Sequence, residues 1–302
     1  TTLFRFRSEE RRVGKECMKF SMELMNEITK KWVDAYIERP SSTLLIDCAN
    51  DSLSGDDIAE YICSQLSKDS HVPIVHLKAN DKKSIGIDDV RQLQRSFQLK
   101  ANTDSKYTRF VVINDAGVLT PEAQNSLLKL MEELPEKTIL IIICDNIQSL
   151  LETVKSRCFQ VRVLPITEKA AFAYGSNNGH SDALIRKAYL LSEGYSSKFI
   201  KLLNDDQDSL YELVDIAKKF ISDSVFERQK YLQTLNSNKS NYSYEDFTNA
   251  LKLTAKSGMR FANSTDTKTH WKNILKVILR TDQQVDRNVS EKLALLSLSV
   301  SL

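Results

Sequence analysis

The spacing of apolar positions along this 302-residue chain changes at Pro165. Before it, short apolar runs alternate with amphipathic stretches; after it, only helical spacing persists. Residues 43–48 (TLLIDC), 74–77, 109–114 (RFVVIN), 139–144 and 159–163 have the length of buried strands. Helical stretches separate them. Residues 19–38 set Met22, Met25, Ile28, Trp32 and Ala35 three or four apart, and Pro40 ends that helix. Asp56 and Asp57 open the next, with Ile58, Ala59, Ile62 and Leu66 along it. Residues 87–97 keep Ile87, Val90, Leu93 and Phe97 on one stripe. Residues 121–134 begin with Pro121 and Glu122, where a fixed φ and the helix dipole favour them. Strands alternating with helices predict an α/β fold, a three-layer parallel sheet domain.

From 165 onward no run reads as a strand. Residues 182–191 and 197–203 form a short helical segment, and 204–206 (NDD) read as a linker. Helical patterns follow at 208–222, 224–235, 243–257, 267–284 and 289–300, with a polar loop at 236–241 (NSNKSN). Only 8 glycines and 5 prolines punctuate the chain, which fits long helices with short connections. Leu293, Leu296 and Leu298, beside Ile274, Leu275 and Ile278, give the last segment more apolar surface than a small bundle must bury, so it is expected to drive association.

The first residues change the charge argument. Residues 7–17 (RSEERRVGKEC) and 1–5 (TTLFR) translate opposite strands of one sequencing adapter, so 1–17 are expected to be an artefact and Met18 the native start. This stretch holds five basic residues and three acidic ones, a net +2 that accounts for the +2 of the whole chain. Without it the protein is neutral, and strong autonomous binding to nucleic acid is not expected. No apolar run reaches the ~20 residues of a membrane span. Cys48, Cys63, Cys144 and Cys158 are far apart and lack the close pairing of zinc ligands, so no metal is expected and a reducing cytoplasm is. His71, His76, His180 and His270 have no acid or cysteine partner visible in the sequence.

The chemistry concentrates at 150–161 (LLETVKSRCFQV), where Ser156-Arg157-Cys158 follows an apolar strand ending in Asp145-Asn146 and a helix expected over 147–155. An arginine so placed can reach a nucleotide held by a neighbouring subunit. Yet the phosphate loop G-x-x-x-x-G-K-[ST] is nowhere in the chain.

Together with SIGIDDVRQLQ (84–94), FVVINDAGVLTPEAQNSLLKLMEELP (110–135) and RNVSEKLALLSLSV (287–300), this segment resembles the AAA+ clamp-loader family, and within it the delta-prime type of bacterial DNA polymerase III subunit. The likeness is good over about 80 residues, patchy beyond them, and returns near the end. It implies a degenerate AAA+ domain at 18–163, a helical lid at 164–205 and a helical collar for oligomerisation at 206–302. It also implies that Arg157 acts in trans as an arginine finger, with Ser156 and Cys158 completing the motif. The implied partners are the delta and gamma/tau subunits, the sliding clamp and primer-template DNA, reached directly or through them.

The departures from the family matter as much. The loop position, 49–57 (ANDSLSGDD), lacks the lysine and carries three aspartates. The acidic pair expected after the third strand is Asn114-Asp115, and an amide is a poor partner for magnesium. No bound cofactor and no ATP hydrolysis of its own are therefore expected. Asn146 and Lys198, at the family's sensor positions, have no task without a nucleotide. Lys100, Lys106 and Arg109 read as a solvated face more readily than as phosphate contacts. Two other readings remain open: a divergent active AAA+ ATPase, which would bind ATP tightly, and a DNA-binding scaffold of another replication or repair machine, which as the isolated chain would bind DNA strongly and in a salt-dependent way.

Overall fold

The computed structural model describes residues 23–49, 52–67, 72–79, 84–97, 106–205, 208–235 and 242–302. The stretch 1–17, the loop at 236–241, His71 and Lys100 lie outside the described residues. The chain divides into two compact units, one ending at Leu203 and one running from Asn204 to Leu302.

The first unit is built on five strands: β1 (Thr43–Asp47), β2 (Ile74–Leu77), β3 (Arg109–Ile113), β4 (Thr138–Cys144) and β5 (Phe159–Arg162). Their order is β2-β3-β4-β1-β5, and every pairing is parallel. β4 is buried on both faces because its residues are apolar without alternation. Ile139, Ile141 and Ile143 point to one core with Val33 and Tyr36 of α1 (Glu27–Glu38) and Ile58 and Ile62 of α2 (Ser52–Ser67). Leu140, Ile142 and Cys144 point to the other. There they meet Val90 and Leu93 of α3 (Ile87–Ser96), Leu127 and Leu130 of α4 (Pro121–Glu132), and Val154 of the one-turn α5 (Glu152–Lys155). Helices thus cover both faces. The start of α4 is fixed by Thr120, whose side chain accepts a hydrogen bond from the Ala123 amide, with Pro121 at the first helical position.

Three helices complete this unit: α6 (Glu168–Asn177), α7 (Asp182–Leu191) and α8 (Ser196–Asn204). The second unit holds α9 (Ser209–Ser222), α10 (Val225–Leu235), α11 (Tyr244–Phe261), α12 (Thr265–Asp286) and α13 (Glu291–Ser301). Its core has Phe220 edge-on to Phe247 at 5.2 Å, with Leu251, Ile274, Ile278, Leu295 and Leu298. Arg228 is buried there, donating to the carbonyls of Phe220, Ile221 and Ser299 at 2.8, 2.8 and 3.2 Å. No strand follows Arg162 among the described residues.

Four details differ from the sequence reading. The α1 stripe through Ile28, Trp32 and Ala35 faces outward, while Thr29, Val33 and Tyr36 are buried. Two interleaved stripes of similar apolarity made the sequence ambiguous, and the Thr29 hydroxyl decides it by donating to the Arg162 carbonyl and accepting from the Leu164 amide. α2 starts at Ser52, so Asp56 and Asp57 lie inside it and not at its N-terminus. α6 has no strong apolar stripe; Gly175 lets it touch α7, because a Cβ there would sit 2.4 Å from Ile185 Cγ1. Residues 147–155 are not one helix but a 3-10 turn (Ile147–Ser149) and α5, separated at Leu150-Leu151.

Candidate functional site

In a parallel sheet of this kind, ligands bind beyond the C-terminal ends of the strands. At that edge β1 ends at Asp47 and α2 begins at Ser52, leaving four residues, 48–51, for a connection. Gly55 then presses α2 onto the sheet: a Cβ there would be 2.3 Å from Cys48 Sγ and 2.6 Å from Ile143 Cγ2. One residue on, the Asp56 carboxylate accepts a short hydrogen bond from Asn114 Nδ2 at the end of β3. Asn114 Oδ1 in turn meets His76 Nδ1 at 3.2 Å. Burial pushes the Asp56 carboxyl above its ordinary range, while Lys78 and the Asn114 hydrogen bond pull the other way. On the far side, Ser54 and Ser196 share a buried hydroxyl contact of 2.8 Å that ties α2 to the start of α8. Asp47 is buried and bound by Arg162 Nε at 2.9 Å.

These residues do not fit a nucleotide triphosphate with magnesium. A phosphate site needs backbone N–H groups and a lysine aimed at the phosphates. Here a carboxylate occupies the helix turn, an amide stands where a metal-binding acid is needed, and the two are bonded to each other. The His76–Asn114–Asp56 chain could not be read from the sequence, since its members are 38 and 58 residues apart. The parallel pairing of β2 with β3 brings them together.

Arg157 lies at the opposite edge. Thr43, the first residue of β1, donates its hydroxyl to the Arg157 carbonyl at 2.5 Å. The length of β1, about 13 Å at ~3.3 Å per residue, thus separates Arg157 from the Asp47 end. The Arg157 side chain is 44% exposed, and its guanidinium is held by the Thr153 carbonyl at 3.1 Å and by Glu132 at 3.2 Å. Such an exposed pair contributes about 0–1 kcal/mol, so a stronger anion can displace Glu132. Ser156 closes α5, its amide donating to the Glu152 carbonyl at 2.9 Å and its hydroxyl to Thr153 O at 3.2 Å. Cys158 packs half-buried against the α4 side of the core, and burial pushes its thiol up to about 12. Gln124, unnoticed in the sequence, braces this segment. Its buried amide donates to the Leu119 and Ser149 carbonyls and accepts from the Leu151 amide at 2.7 Å.

The other candidates are engaged locally. Asn146 accepts from the Gln148 amide at 3.2 Å and so caps the 3-10 turn. Lys198 is half-buried in α8. Arg109 stacks on Phe97 and donates to the Ser96 carbonyl, and burial lowers its pKa; it is not part of a solvated face. Lys106 is exposed beside the Tyr107 ring. Among the described residues no group of three or more His, Cys, Asp or Glu could hold a metal ion, and no helix is long and apolar enough to cross a membrane.

Residues 42–167 match the family described as DNA polymerase III, delta subunit. Over 103 residues the chain is 31% identical to replication factor C subunit 5 of Mus musculus, covering 34% of this chain and 30% of that protein. It is 44% identical over 78 residues to DNA polymerase III subunit delta' of Yersinia pestis, covering 26% of this chain and 22% of the relative. With the delta' subunit of Buchnera aphidicola it shares 28% over 171 residues, 56% of this chain and 46% of that one. The chain therefore spans less than half the length of these curated relatives. A DNA polymerase III gamma subunit-related protein of Thermotoga maritima has the same fold: the TM-score is 0.55 at 18% identity, over 91% of this chain and 98% of that one. The parallel sheet with flanking helices, followed by an all-helical region, is the architecture these two chains share. Over these stretches the chain is similar to DNA polymerase III delta and delta' subunits and to replication factor C subunits.

Proposed function

We propose that this chain is a delta-prime-like subunit of a DNA polymerase III clamp loader, acting in DNA replication. It does not hydrolyse ATP, and it lends Arg157 in trans to the ATPase subunit beside it as the sliding clamp is loaded on DNA. The observation that carries this reading is the contrast between an intact Ser156-Arg157-Cys158 motif whose arginine is exposed and a nucleotide edge whose own residues are bonded to one another. A guanidinium brought to a neighbour's γ-phosphate stabilises charge that develops in the transition state. Glu132 holds it in the meantime. Residues 164–205 would serve as the lid and 206–302 as the collar, with Leu293 (61% exposed) and half-buried Leu296 on the collar's outer side. The delta and gamma/tau subunits, the clamp and primer-template DNA are the partners this role requires.

The test is steady-state ATP turnover of the reconstituted ring carrying Arg157→Ala. The ring should assemble normally by gel filtration and lose the site that faces this subunit, leaving the others active. Full turnover at every site would overturn the reading. Calorimetry with magnesium-ATP and the isolated chain should show no binding heat, and sub-micromolar affinity would favour an active ATPase.

A further inference from the structure

A second feature lies in the C-terminal unit. α12 carries Lys268, Lys272, Lys276 and Arg280, four cations each four residues apart, and all four are exposed. At 100° per residue they drift over a third of the helix circumference, on the side away from Ile274, Ile278 and Thr281, which are buried. None of the four is within ion-pair distance of a carboxylate among the described residues. The nearby Asp282 is engaged by Lys252 at 2.5 Å. The bias extends beyond one helix: residues 247–281 contain seven lysines and arginines and a single acid, Asp266, although the whole chain has 42 basic and 40 acidic residues.

A solvated helix face ordinarily mixes signs, because like charges four apart destabilise a helix and opposite ones stabilise it. Here four neighbours repel one another along one line. The line rises about 6 Å per step and runs about 18 Å, a repeat comparable with the separation of successive phosphates along one strand. An acidic polypeptide would need no such even spacing. We propose that this ridge on α12 binds the phosphate backbone of a DNA duplex, without reading its sequence. The inference rests on the DNA-loading reading only for the choice of DNA. It does not involve Arg157, so the two tests fail independently.

The experiment measures anisotropy of a labelled DNA duplex with the full chain as salt is raised. Four phosphates neutralised, at a slope of about −0.9 each, predict roughly a hundredfold loss of affinity between about 50 and 200 mM salt. Lys272→Ala with Lys276→Ala should weaken binding and reduce that salt effect to about tenfold, since two contacts remain. The exposed pair Lys218 and Lys219 of α9 supplies a charge-matched control: Lys218→Ala with Lys219→Ala should leave the slope unchanged. An unchanged slope in the α12 variant, or an equal change in the control, would overturn the proposal. So would a polyglutamate peptide that binds as tightly as the duplex and competes with it, because the partner would then be an acidic polypeptide.

Discussion

The two edges of one sheet have opposite characters. At the strand-ending edge, polar groups among the described residues satisfy one another: Asp56 with Asn114, Asn114 with His76, Ser54 with Ser196, Asp47 with Arg162. At the strand-starting edge, Arg157 is held by one carbonyl and one exposed carboxylate, contacts that another anion can replace. An edge whose donors and acceptors are used internally has little left to offer a ligand, since binding would first have to break those contacts. An exposed guanidinium with a weak partner loses little when it changes partners. The first edge holds the fold together, and the second is free to act on something outside it.

The largest expected effect that sharpens this contrast is the response to Arg157→Lys. Lysine keeps the charge but not the planar fork that grips two oxygens. In the proposed role an arginine finger contributes about 10³–10⁵ in rate at the site it serves, so lysine should lose most of that while the variant's stability changes by less than about 1 kcal/mol. Single-turnover ATP hydrolysis in the assembled ring, with denaturant unfolding of the isolated chain, separates the two. If stability fell by several kcal/mol, Arg157 would belong with the structural edge instead.

Gly55→Ala should act on the other edge and strike stability. Its methyl would meet Cys48 Sγ at 2.3 Å and Ile143 Cγ2 at 2.6 Å, both buried, so α2 must shift off β4. Overpacking of this kind costs about 1–3 kcal/mol, read as a lower denaturation midpoint with ring ATPase retained. An unchanged midpoint would mean that this edge is looser than its contacts indicate. Ser54→Ala should cost less, about 1 kcal/mol for one buried hydrogen bond. A double cycle with Ser196→Ala should show the two losses to be shared rather than additive, as direct partners require.

What the sequence revealed of each edge follows the same division. The strands were readable because a buried parallel sheet demands unbroken apolar runs, as in TILIIIC. The Arg157 motif was readable because its three members are adjacent. The closed edge was not. Asp56 looked like a helix-starting acid, when in fact α2 begins a turn earlier and turns it towards Asn114. Its partners come from β2 and β3, and only sheet order brings such distant positions together. Gln124 was hidden for a similar reason: a glutamine on a helix is ordinarily solvated, and its burial depends on the turn at 147–151 folding back over α4. Ile28 and Trp32 misled in the opposite direction, since exposed apolar side chains are common and only packing shows which stripe is inside.

The smallest effect, and the most direct probe of the closed edge, is the pH dependence of Asp56→Asn. Burial is the main cause that raises the Asp56 pKa, with Lys78 and the Asn114 hydrogen bond opposing it. A carboxyl whose pKa rises on folding binds its proton more tightly in the folded state. Its stabilising contribution is therefore present below the unfolded value, near 3.9, and is lost as pH rises through the folded value. At neutral pH the ionised group is a net cost. Asparagine keeps the shape and a carbonyl acceptor for Asn114 Nδ2 while removing that charge. The variant should thus melt slightly above the parent at pH ~7, and the gap should close as pH falls through the raised folded-state pKa and the parent's carboxyl takes up its proton. Thermal unfolding across that range reads both. The opposite outcome, a variant less stable by a margin that widens with pH, would mean that the carboxylate is favoured in the fold. A net positive environment, with Lys78 its main source, would then surround Asp56, and the edge would have positive charge to offer an anion instead of being closed by its own side chains.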